Sequence, residues 1–204
     1  MSKKVLHAAL LGLGTVGTGV YKVLKNQLPE MEQKIGAVVE IKKILVRNMK
    51  KAAAKIQEPE LLTNNWQEIL QDEEIDIVIE VMGGIEPART YITDALKAGK
   101  HVVTANKDLV ASHGGELLDW ASENHCDFLF EASVAGGIPI IRPLHSSLTA
   151  DEIEEITGIL NGTTNYILSR MDAEGSEFDA ALKEAQERGY AERNPGADIE
   201  GWDA

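Results

Sequence analysis

The amino-acid sequence contains one cysteine and no long apolar run. Because Cys126 has no second cysteine to pair with, an internal disulfide is excluded and a reducing compartment such as the cytoplasm is favoured. A membrane-spanning helix needs about 20 consecutive apolar residues, and no stretch approaches that length. The amino terminus also lacks the pattern of a signal peptide. We therefore expect a cytoplasmic protein with no membrane partner.

Basic residues are also scarce relative to acidic ones. The 204 residues include 20 Lys or Arg and 33 Asp or Glu, which gives a formal net charge of −13. Nucleic-acid-binding proteins usually carry a basic patch, so this balance argues against a nucleic-acid partner. The histidines are scattered, and no pair has the spacing of a transition-metal site. These absences favour a protein that acts on small molecules.

Short apolar runs alternate with helical patterns along most of the chain. Predicted helices separate strands that we predict at residues 5–11, 37–46, 75–81, 101–104 and 127–130. Because this alternation is typical of a parallel sheet with helices on both faces, we predict an α/β, doubly wound, mostly parallel Rossmann sheet over residues 1–133. The composition then changes, and we predict part of an α+β substrate and dimerisation domain over residues 134–204.

The second region has a polar junction between two apolar stretches. Residues 153–160 have the pattern of a strand, and a helix is predicted to follow. Asn161, Thr163 and Thr164 are suited to cap the start of that helix, where backbone N–H groups lack partners. A strand that ends in such a junction can present a binding site, and an ordinary capped turn is the alternative.

Gly12, Gly14 and Gly17 fit the pattern G-x-G-x-x-G directly after the first predicted strand. In a dinucleotide-binding fold, the first glycine permits a tight turn, the second lets a pyrophosphate approach the backbone, and the third lets the helix pack closely. The helix amino terminus then offers N–H groups and partial positive charge to the phosphates. A simple glycine-rich turn is the alternative, but the strand before and the helix after favour dinucleotide binding.

The end of the second predicted strand bears on which dinucleotide is bound. A carboxylate there would bind the adenosine ribose hydroxyls of NAD, whereas an arginine can hold the 2′-phosphate of NADP. This chain has Arg47 at that place, with Lys50, Lys51 and Lys55 close behind. The sequence therefore favours NADP(H), with NAD(H) possible, and the alternative is an exposed basic patch at the start of a helix.

The ends of the later strands carry further candidates, because ligands of an open parallel sheet lie beyond the carboxyl ends of its strands. Gly83 and Gly84 follow the third predicted strand and allow a flat ring to approach. Lys107 follows the fourth strand, where nicotinamide and substrate should meet. A lysine there can orient a substrate or protonate a carbonyl oxygen as hydride arrives. An ordinary surface lysine is the alternative.

Motifs along the whole chain resemble those of homoserine dehydrogenases in content and order. The matching segments are residues 12–17, 80–84, 104–107, 131–139, 161–165 and 189–192. The resemblance implies NAD(P)H-dependent interconversion of L-aspartate 4-semialdehyde and L-homoserine, a step in threonine, methionine and isoleucine biosynthesis. It also implies a homodimer in the full-length parent, built largely through the substrate domain.

The resemblance also assigns roles to single residues. The implied cofactor contacts are Gly12, Gly14, Thr15, Val16, Gly17, Arg47, Gly83, Gly84, Thr104 and Lys107. The implied catalytic residues are Lys107 and Asp203, and the implied substrate-binding residues are Asn161, Thr163, Glu192 and Asp198. Sodium or a similar monovalent cation is implied at Glu131, Val134, Gly136 and Ile138, with backbone carbonyls as ligands. Without the resemblance, the acids would be interpreted as surface residues of a loop.

The resemblance further implies a lysine soon after Asp203 that donates a proton to the substrate oxygen, and this sequence contains none there. We therefore expect the 204-residue chain by itself to have little or no turnover. Two other functions stay open. One is another Rossmann oxidoreductase of the sugar-dehydrogenase type, which also places a lysine after its fourth strand. The other is a protein that binds a dinucleotide without catalysis.

Overall fold

A parallel sheet organises the first of two units, Met1–Ser133 and Val134–Ala204. The computed structural model describes residues 4–26, 28–159, 161–191 and 195–201. Within these residues the strands are β1 (Lys4–Leu11), β2 (Ala37–Leu45), β3 (Leu62–Thr63), β4 (Ile75–Glu80), β5 (His101–Thr104) and β6 (Phe128–Leu129). They pair in parallel in the order β3-β2-β1-β4-β5-β6. The predicted doubly wound Rossmann sheet is confirmed.

Helices connect the strands of the first unit. They are α1 (Thr15–Asn26), α2 (Leu28–Ile35), α3 (Met49–Ala53), α4 (Gln67–Leu70), α5 (Ala88–Lys97) and α6 (Lys107–Glu123), with 3-10 turns at Pro59–Leu61 and Glu131–Ser133. The strands predicted within residues 1–133 all form, with ends that differ by at most one residue. The two-residue strand β3 was not predicted, because so short a segment carries no period. None of the described helices is both long enough and apolar enough to cross a membrane.

The sheet separates two hydrophobic layers, because successive side chains of a strand point to opposite faces. On β1, Leu10 packs in one layer with Leu24 of α1. Its neighbour Leu11 packs in the other layer with Ile92 of α5 and Leu109 of α6. Leu10 and Leu11 are both fully buried. A strand covered on both faces is what the centre of a parallel α/β sheet requires, and it explains the continuous apolar run in this part of the sequence.

Charged side chains fix the turn that precedes β4. Lys42 Nζ lies 2.8 Å from Asp72 Oδ1 and 2.7 Å from Asp72 Oδ2. The hydrogen bond from Lys42 lowers the pKa of the Asp72 carboxyl. Lys100 is buried, and its Nζ donates to the carbonyl oxygens of Asp72 at 2.6 Å and Ile75 at 3.0 Å. Burial lowers the pKa of Lys100. Lys42, from β2, and Lys100, which directly precedes β5, therefore fix the position of this turn.

The described part of the second unit contains helices, two of which share a small hydrophobic core. The helices are α7 (Ile141–Ser147), α8 (Gly162–Glu174), α9 (Phe178–Glu187) and α10 (Gly196–Ile199). Ile167 of α8 packs against Ala181 and Ala185 of α9. The predicted start of α8 is confirmed, since Asn161 is its N-cap and Asn161 Oδ1 accepts a hydrogen bond from Thr164 N at 2.7 Å.

The strand predicted at residues 153–160 is wrong over residues 153–159, which have no regular structure, while residue 160 lies outside the described residues. The side chains of Ile153, Ile156 and Ile159 are 49%, 65% and 45% exposed. A strand is stable only beside another strand that takes up its backbone hydrogen bonds. No strand is present among the described residues of this unit, so the apolar pattern has nothing to pair with.

The substitution Asp72→Asn tests the ion pair before β4. Because Lys42 lowers the folded-state pKa of Asp72, the pair stabilises the fold above about pH 3.9, the value of an unfolded Asp, and this is lost as the pH falls through the lower folded-state pKa. We expect D72N to lose about 1 kcal/mol of unfolding free energy at neutral pH. Its stability should also fall less on acidification than that of the parent. Urea unfolding at neutral and acid pH measures both effects.

Glu74→Gln is the matched control. Glu74 also pairs with Lys42, but its side chain is 71% exposed. Solvent screens such a pair, so we expect E74Q to unfold like the parent. An equal loss in the two variants would contradict a special role for Asp72.

Candidate functional site

The glycine loop, Gly12–Gly14, lies at the carboxyl end of β1, between the ends of β2 and β4. Gly12 N donates to Leu45 O at 3.0 Å, and Val81 N donates to Leu11 O at 3.0 Å. Gly12 has φ of +100°, and a Cβ at this position would lie 3.0 Å from Val81 O. Both the conformation and the close contact require glycine. The loop is therefore fixed where the two halves of the sheet meet.

The first turn of α1 packs directly on this loop. A Cβ on Gly17 would lie 2.2 Å from Gly12 O, so no side chain fits there. Gly14 has nothing within 4 Å of the corresponding position, and Thr15 and Val16 are exposed. The third glycine thus closes the helix against the loop, while the second leaves its backbone open. This is the arrangement that lets a pyrophosphate reach helix N–H groups.

A cavity of about 630 Å³ adjoins the glycine loop. Gly12, Gly14, Arg47, Lys51, Lys55, Met82 and Gly83 are among the residues that line it. Arg47, Lys51 and Lys55 are all exposed, and Lys55 Nζ donates to Leu13 O at 2.7 Å. Lys55 therefore holds the glycine loop, and Arg47 and Lys51 face the cavity as cations that an anionic ligand can reach. Asn48 caps α3 by accepting from Lys51 N at 2.9 Å, which places Arg47 just ahead of that helix.

A buried carboxylate shapes the turn after β4. Glu80 is fully buried, and its Oε1 accepts from Met82 N at 2.7 Å and Gly83 N at 3.3 Å. Its Oε2 accepts from Thr104 Oγ1 at 2.6 Å. Gly83 and Gly84 have φ of +74° and +77°, and both are exposed. The glycine pair therefore forms an open wall whose backbone is held from below by Glu80.

Asn106 connects this wall to the start of α6. Its Nδ2 donates to Gly84 O at 2.7 Å, its Oδ1 accepts from Leu109 N at 3.2 Å, and its N donates to Thr104 Oγ1 at 3.1 Å. Asn106 is therefore the N-cap of α6, and Lys107 is the first residue of that helix, with an exposed side chain. The structure thus brings the Gly83–Gly84 turn and the start of α6, which the sequence placed only by strand order, into direct contact.

Thr104 differs from its expected role in one respect. Its side chain is 1% exposed, and its hydroxyl is engaged by Glu80 and by the backbone of Asn106. A direct contact from this hydroxyl to a cofactor stays a prediction. Glu80, Asn106 and Lys55 received no role from the sequence. A charged residue at the end of an apolar strand, just ahead of two glycines, was the available signal for Glu80, since a buried carboxylate needs N–H or O–H donors nearby.

In the second unit, the predicted substrate residues support the start of α8. Thr163 is buried, and its Oγ1 donates to Tyr190 O at 2.6 Å. Asn161 caps the same helix. An opening of about 550 Å³ adjoins this helix start, lined by Gly162, Thr163, Asn165, Tyr166, Ser169 and Tyr190. Contact of Asn161 and Thr163 with a substrate stays a prediction.

The structure describes the remaining predicted residues only in part. Glu192 and Asp203 lie outside the described residues, and Asp198 belongs to α10, with a side chain outside the description. Glu131 starts a 3-10 turn in the first unit, and Val134, Gly136 and Ile138 belong to the second. The cation site at these four positions stays a prediction. The described residues contain no group of three or more His, Cys, Asp or Glu that could hold a metal.

Comparison with known proteins gives matches along the chain. The family model "Homoserine dehydrogenase, NAD binding domain" matches residues 12–131, and the model "Homoserine dehydrogenase" matches residues 139–204. The homoserine dehydrogenase of Bacillus subtilis is 49% identical over 201 residues, covering 98% of this chain and 46% of the relative. That of Synechocystis is 48% identical over 195 residues, covering 96% of this chain and 45% of the relative. The chain thus spans about half the length of these curated relatives.

Solved structures give the same picture. A homoserine dehydrogenase from Thiobacillus denitrificans superposes with a TM-score of 0.88 at 49% identity, covering 98% of this chain and 46% of that one. A hyperthermophilic archaeal homoserine dehydrogenase in complex with NADPH superposes with a TM-score of 0.81 at 29% identity, covering 98% of this chain and 66% of that one.

Substitution of Gly17 by alanine tests the packing of α1 on the glycine loop. The added methyl group would lie 2.2 Å from Gly12 O, so either α1 or the loop has to move. We expect G17A to lose about 1–3 kcal/mol of unfolding free energy, as overpacked sites do. Urea unfolding measures the loss.

Gly19→Ala provides the control within the same helix. Gly19 has nothing within 4 Å of its missing Cβ. Because alanine favours a helix over glycine by about 0.5–1 kcal/mol, G19A should be more stable than the parent. Equal destabilisation by the two changes would argue against the close contact at Gly17.

Proposed function

Because this chain belongs to the homoserine dehydrogenase family, we propose that it supplies the cofactor-binding part of an enzyme that interconverts L-aspartate 4-semialdehyde and L-homoserine by hydride transfer. The observation that carries the proposal is the family match over residues 12–131, which covers both the glycine loop and the strand ends at Glu80 and Thr104. These are the places where a doubly wound sheet binds a dinucleotide.

The cofactor in this proposal is a nicotinamide dinucleotide that lies across the carboxyl ends of the strands. Its pyrophosphate contacts the glycine loop and the start of α1, where Gly14 leaves the backbone open. The adenosine half lies on the β2 side, and the nicotinamide lies above β4 and β5, since each half of such a sheet binds one mononucleotide. The archaeal relative whose structure contains NADPH supports this choice of cofactor.

We further propose that NADP(H) is preferred over NAD(H). The residues that follow β2 are Val46 and Arg47, so no carboxylate stands where NAD-binding proteins hold the ribose. Arg47 and Lys51 both line the cavity and are exposed. The planar guanidinium of Arg47 can bind a 2′-phosphate through two hydrogen bonds, and Lys51 adds a second positive charge.

Lys107 is the catalytic residue that the first unit supplies. It starts α6 immediately after Asn106, beside the Gly83–Gly84 turn. In this proposal that turn is the wall against which the nicotinamide ring packs, and we call it the nicotinamide wall. From its place beside this wall, the Lys107 ammonium group can orient the substrate carbonyl or stabilise the oxygen as hydride arrives. Glu192, Asp198 and Asp203 are proposed to bind the ammonium and hydroxyl groups of homoserine, for which carboxylates are suited. A homodimeric parent in the cytoplasm, with a monovalent cation at Glu131, completes the proposal.

The reaction is tested by assaying a full-length protein that carries this sequence. We expect homoserine to reduce NADP, and aspartate semialdehyde to oxidise NADPH. Lys107→Ala should lower kcat by about 10²–10⁴-fold. Lys22→Ala, an exposed cation of α1 away from the cavity, serves as the control and should leave kcat unchanged.

Other outcomes of this assay favour other functions. Activity on sugars alone would identify a sugar-dehydrogenase type of oxidoreductase. Tight NADPH binding without turnover on any substrate would indicate a non-catalytic dinucleotide-binding protein.

The choice of cofactor is tested with Arg47→Ala. Loss of one charge-assisted phosphate contact costs about 1.5–3 kcal/mol, so we expect NADPH to bind roughly tenfold or more weakly. NADH has no 2′-phosphate, and its affinity should change little. Fluorescence titration with both nucleotides measures the two dissociation constants.

Lys50→Ala is the matched control, because Lys50 is an exposed neighbour that does not line the cavity. We expect it to leave both affinities unchanged. Equal losses of NADPH and NADH affinity in R47A would reject the phosphate role of Arg47.

A further inference from the structure

Glu80 is an unusual residue for the end of a buried strand. Its side chain is fully buried, and its hydrogen-bond donors among the described residues are the backbone N–H groups of Met82 and Gly83 and the hydroxyl of Thr104. All three donors are uncharged. Burial of a carboxylate is costly unless hydrogen bonds replace its lost water, so the arrangement has to satisfy both oxygens at once. One oxygen is used on the turn after β4 and the other on the neighbouring strand β5.

These contacts belong to a ring of hydrogen bonds that the backbone of Gly83 and Gly84 closes. Thr104 Oγ1 donates to Glu80 Oε2 at 2.6 Å and accepts from Asn106 N at 3.1 Å. Asn106 Nδ2 donates to Gly84 O at 2.7 Å, which returns to the turn that Glu80 holds. The Thr104 hydroxyl is thus both donor and acceptor, so loss of it opens the ring at two points.

The ring fixes two features of the proposed active site relative to each other. One is the exposed wall of Gly83 and Gly84, whose positive φ values leave the backbone dependent on outside contacts for its shape. The other is the start of α6, which Asn106 caps and where Lys107 stands. Because Asn106 contacts both Gly84 and Thr104, the wall and the helix start cannot shift independently.

We propose that Glu80 and Thr104 are positioning residues that hold the nicotinamide wall and the start of α6 in a fixed relation, without touching substrate themselves. This inference rests on the proposed function, in which the nicotinamide half of the cofactor lies above β4 and β5. It assigns the buried pair to one half of the dinucleotide only. The adenosine half, on the other side of β1, depends on Arg47 and Lys51 instead.

The experiment compares NADPH with 2′,5′-ADP, which carries the adenosine half and the 2′-phosphate but no nicotinamide. Both dissociation constants are measured for the 204-residue chain by titration calorimetry. We expect Thr104→Val, which keeps the shape and removes the hydroxyl, to weaken NADPH binding about tenfold, a change of about 1.4 kcal/mol. Binding of 2′,5′-ADP should stay within about twofold of the parent.

Thr104→Ser is the matched control, since serine keeps the hydroxyl that both donates to Glu80 and accepts from Asn106. We expect T104S to bind NADPH like the parent. A variant that only loosened the fold would weaken both ligands, so an equal loss in T104V would overturn the proposal. Unchanged NADPH affinity in T104V would overturn it as well.

Glu80→Gln gives a second measurement if T104V does not fold. The Gln oxygen can still accept from the turn, but its amide would face the Thr104 hydroxyl as a donor and leave the hydroxyl proton without an acceptor. We expect a selective loss of NADPH affinity of about threefold or more, with 2′,5′-ADP retained. No loss, or an equal loss for both ligands, would reject the positioning role. If the parent bound neither ligand, the proposed cofactor itself would be wrong, a result distinct from either of these.

Discussion

The close packing of α1 on the glycine loop is the constraint on which the cofactor site depends. Gly17 approaches Gly12 so closely that even one methyl group would lie 2.2 Å from the Gly12 carbonyl oxygen. This contact fixes the direction of α1 and aims its unpaired N–H groups over the carboxyl ends of the central strands. The loop is in turn held by backbone hydrogen bonds to β2 and from the residue after β4. An anion therefore meets donors that are already in place.

Near the glycine loop, buried polar groups hold the backbone in place, whereas exposed polar groups are available to bind a ligand. Glu80 is fully buried, and its hydrogen bonds to backbone N–H groups of the turn after β4 offset the loss of water. Arg47 and Lys51 have exposed side chains that line the cavity. A polar group whose hydrogen bonds are satisfied inside the protein has little capacity left for a ligand, whereas an exposed cation can still bind one. The same distinction gives Thr104 a supporting role in spite of its place at a strand end.

The sequence predicted best where the signal was local. The strands of the first unit other than β3, and the cap at Asn161, follow from apolar periods and from residue types within a few positions of each other. The strand expected at residues 153–160 shows where such a signal fails, because its residues have a suitable pattern but no partner strand among those the structure describes. The short strand β3 shows the opposite error. Its segment has no strand pattern, and it forms a strand because it pairs with β2.

By itself, the sequence determined the glycine loop, the alternation that builds a doubly wound sheet, and the motifs that resemble one enzyme family. Each of these is written in spacing along the chain, and backbone geometry converts spacing into structure directly. Only the tertiary structure decided what Glu80, Thr104 and Asn106 do. Their hydrogen bonds join residues 24 and 22 positions apart, and such contacts exist only after β4 and β5 have paired and buried the carboxylate between them.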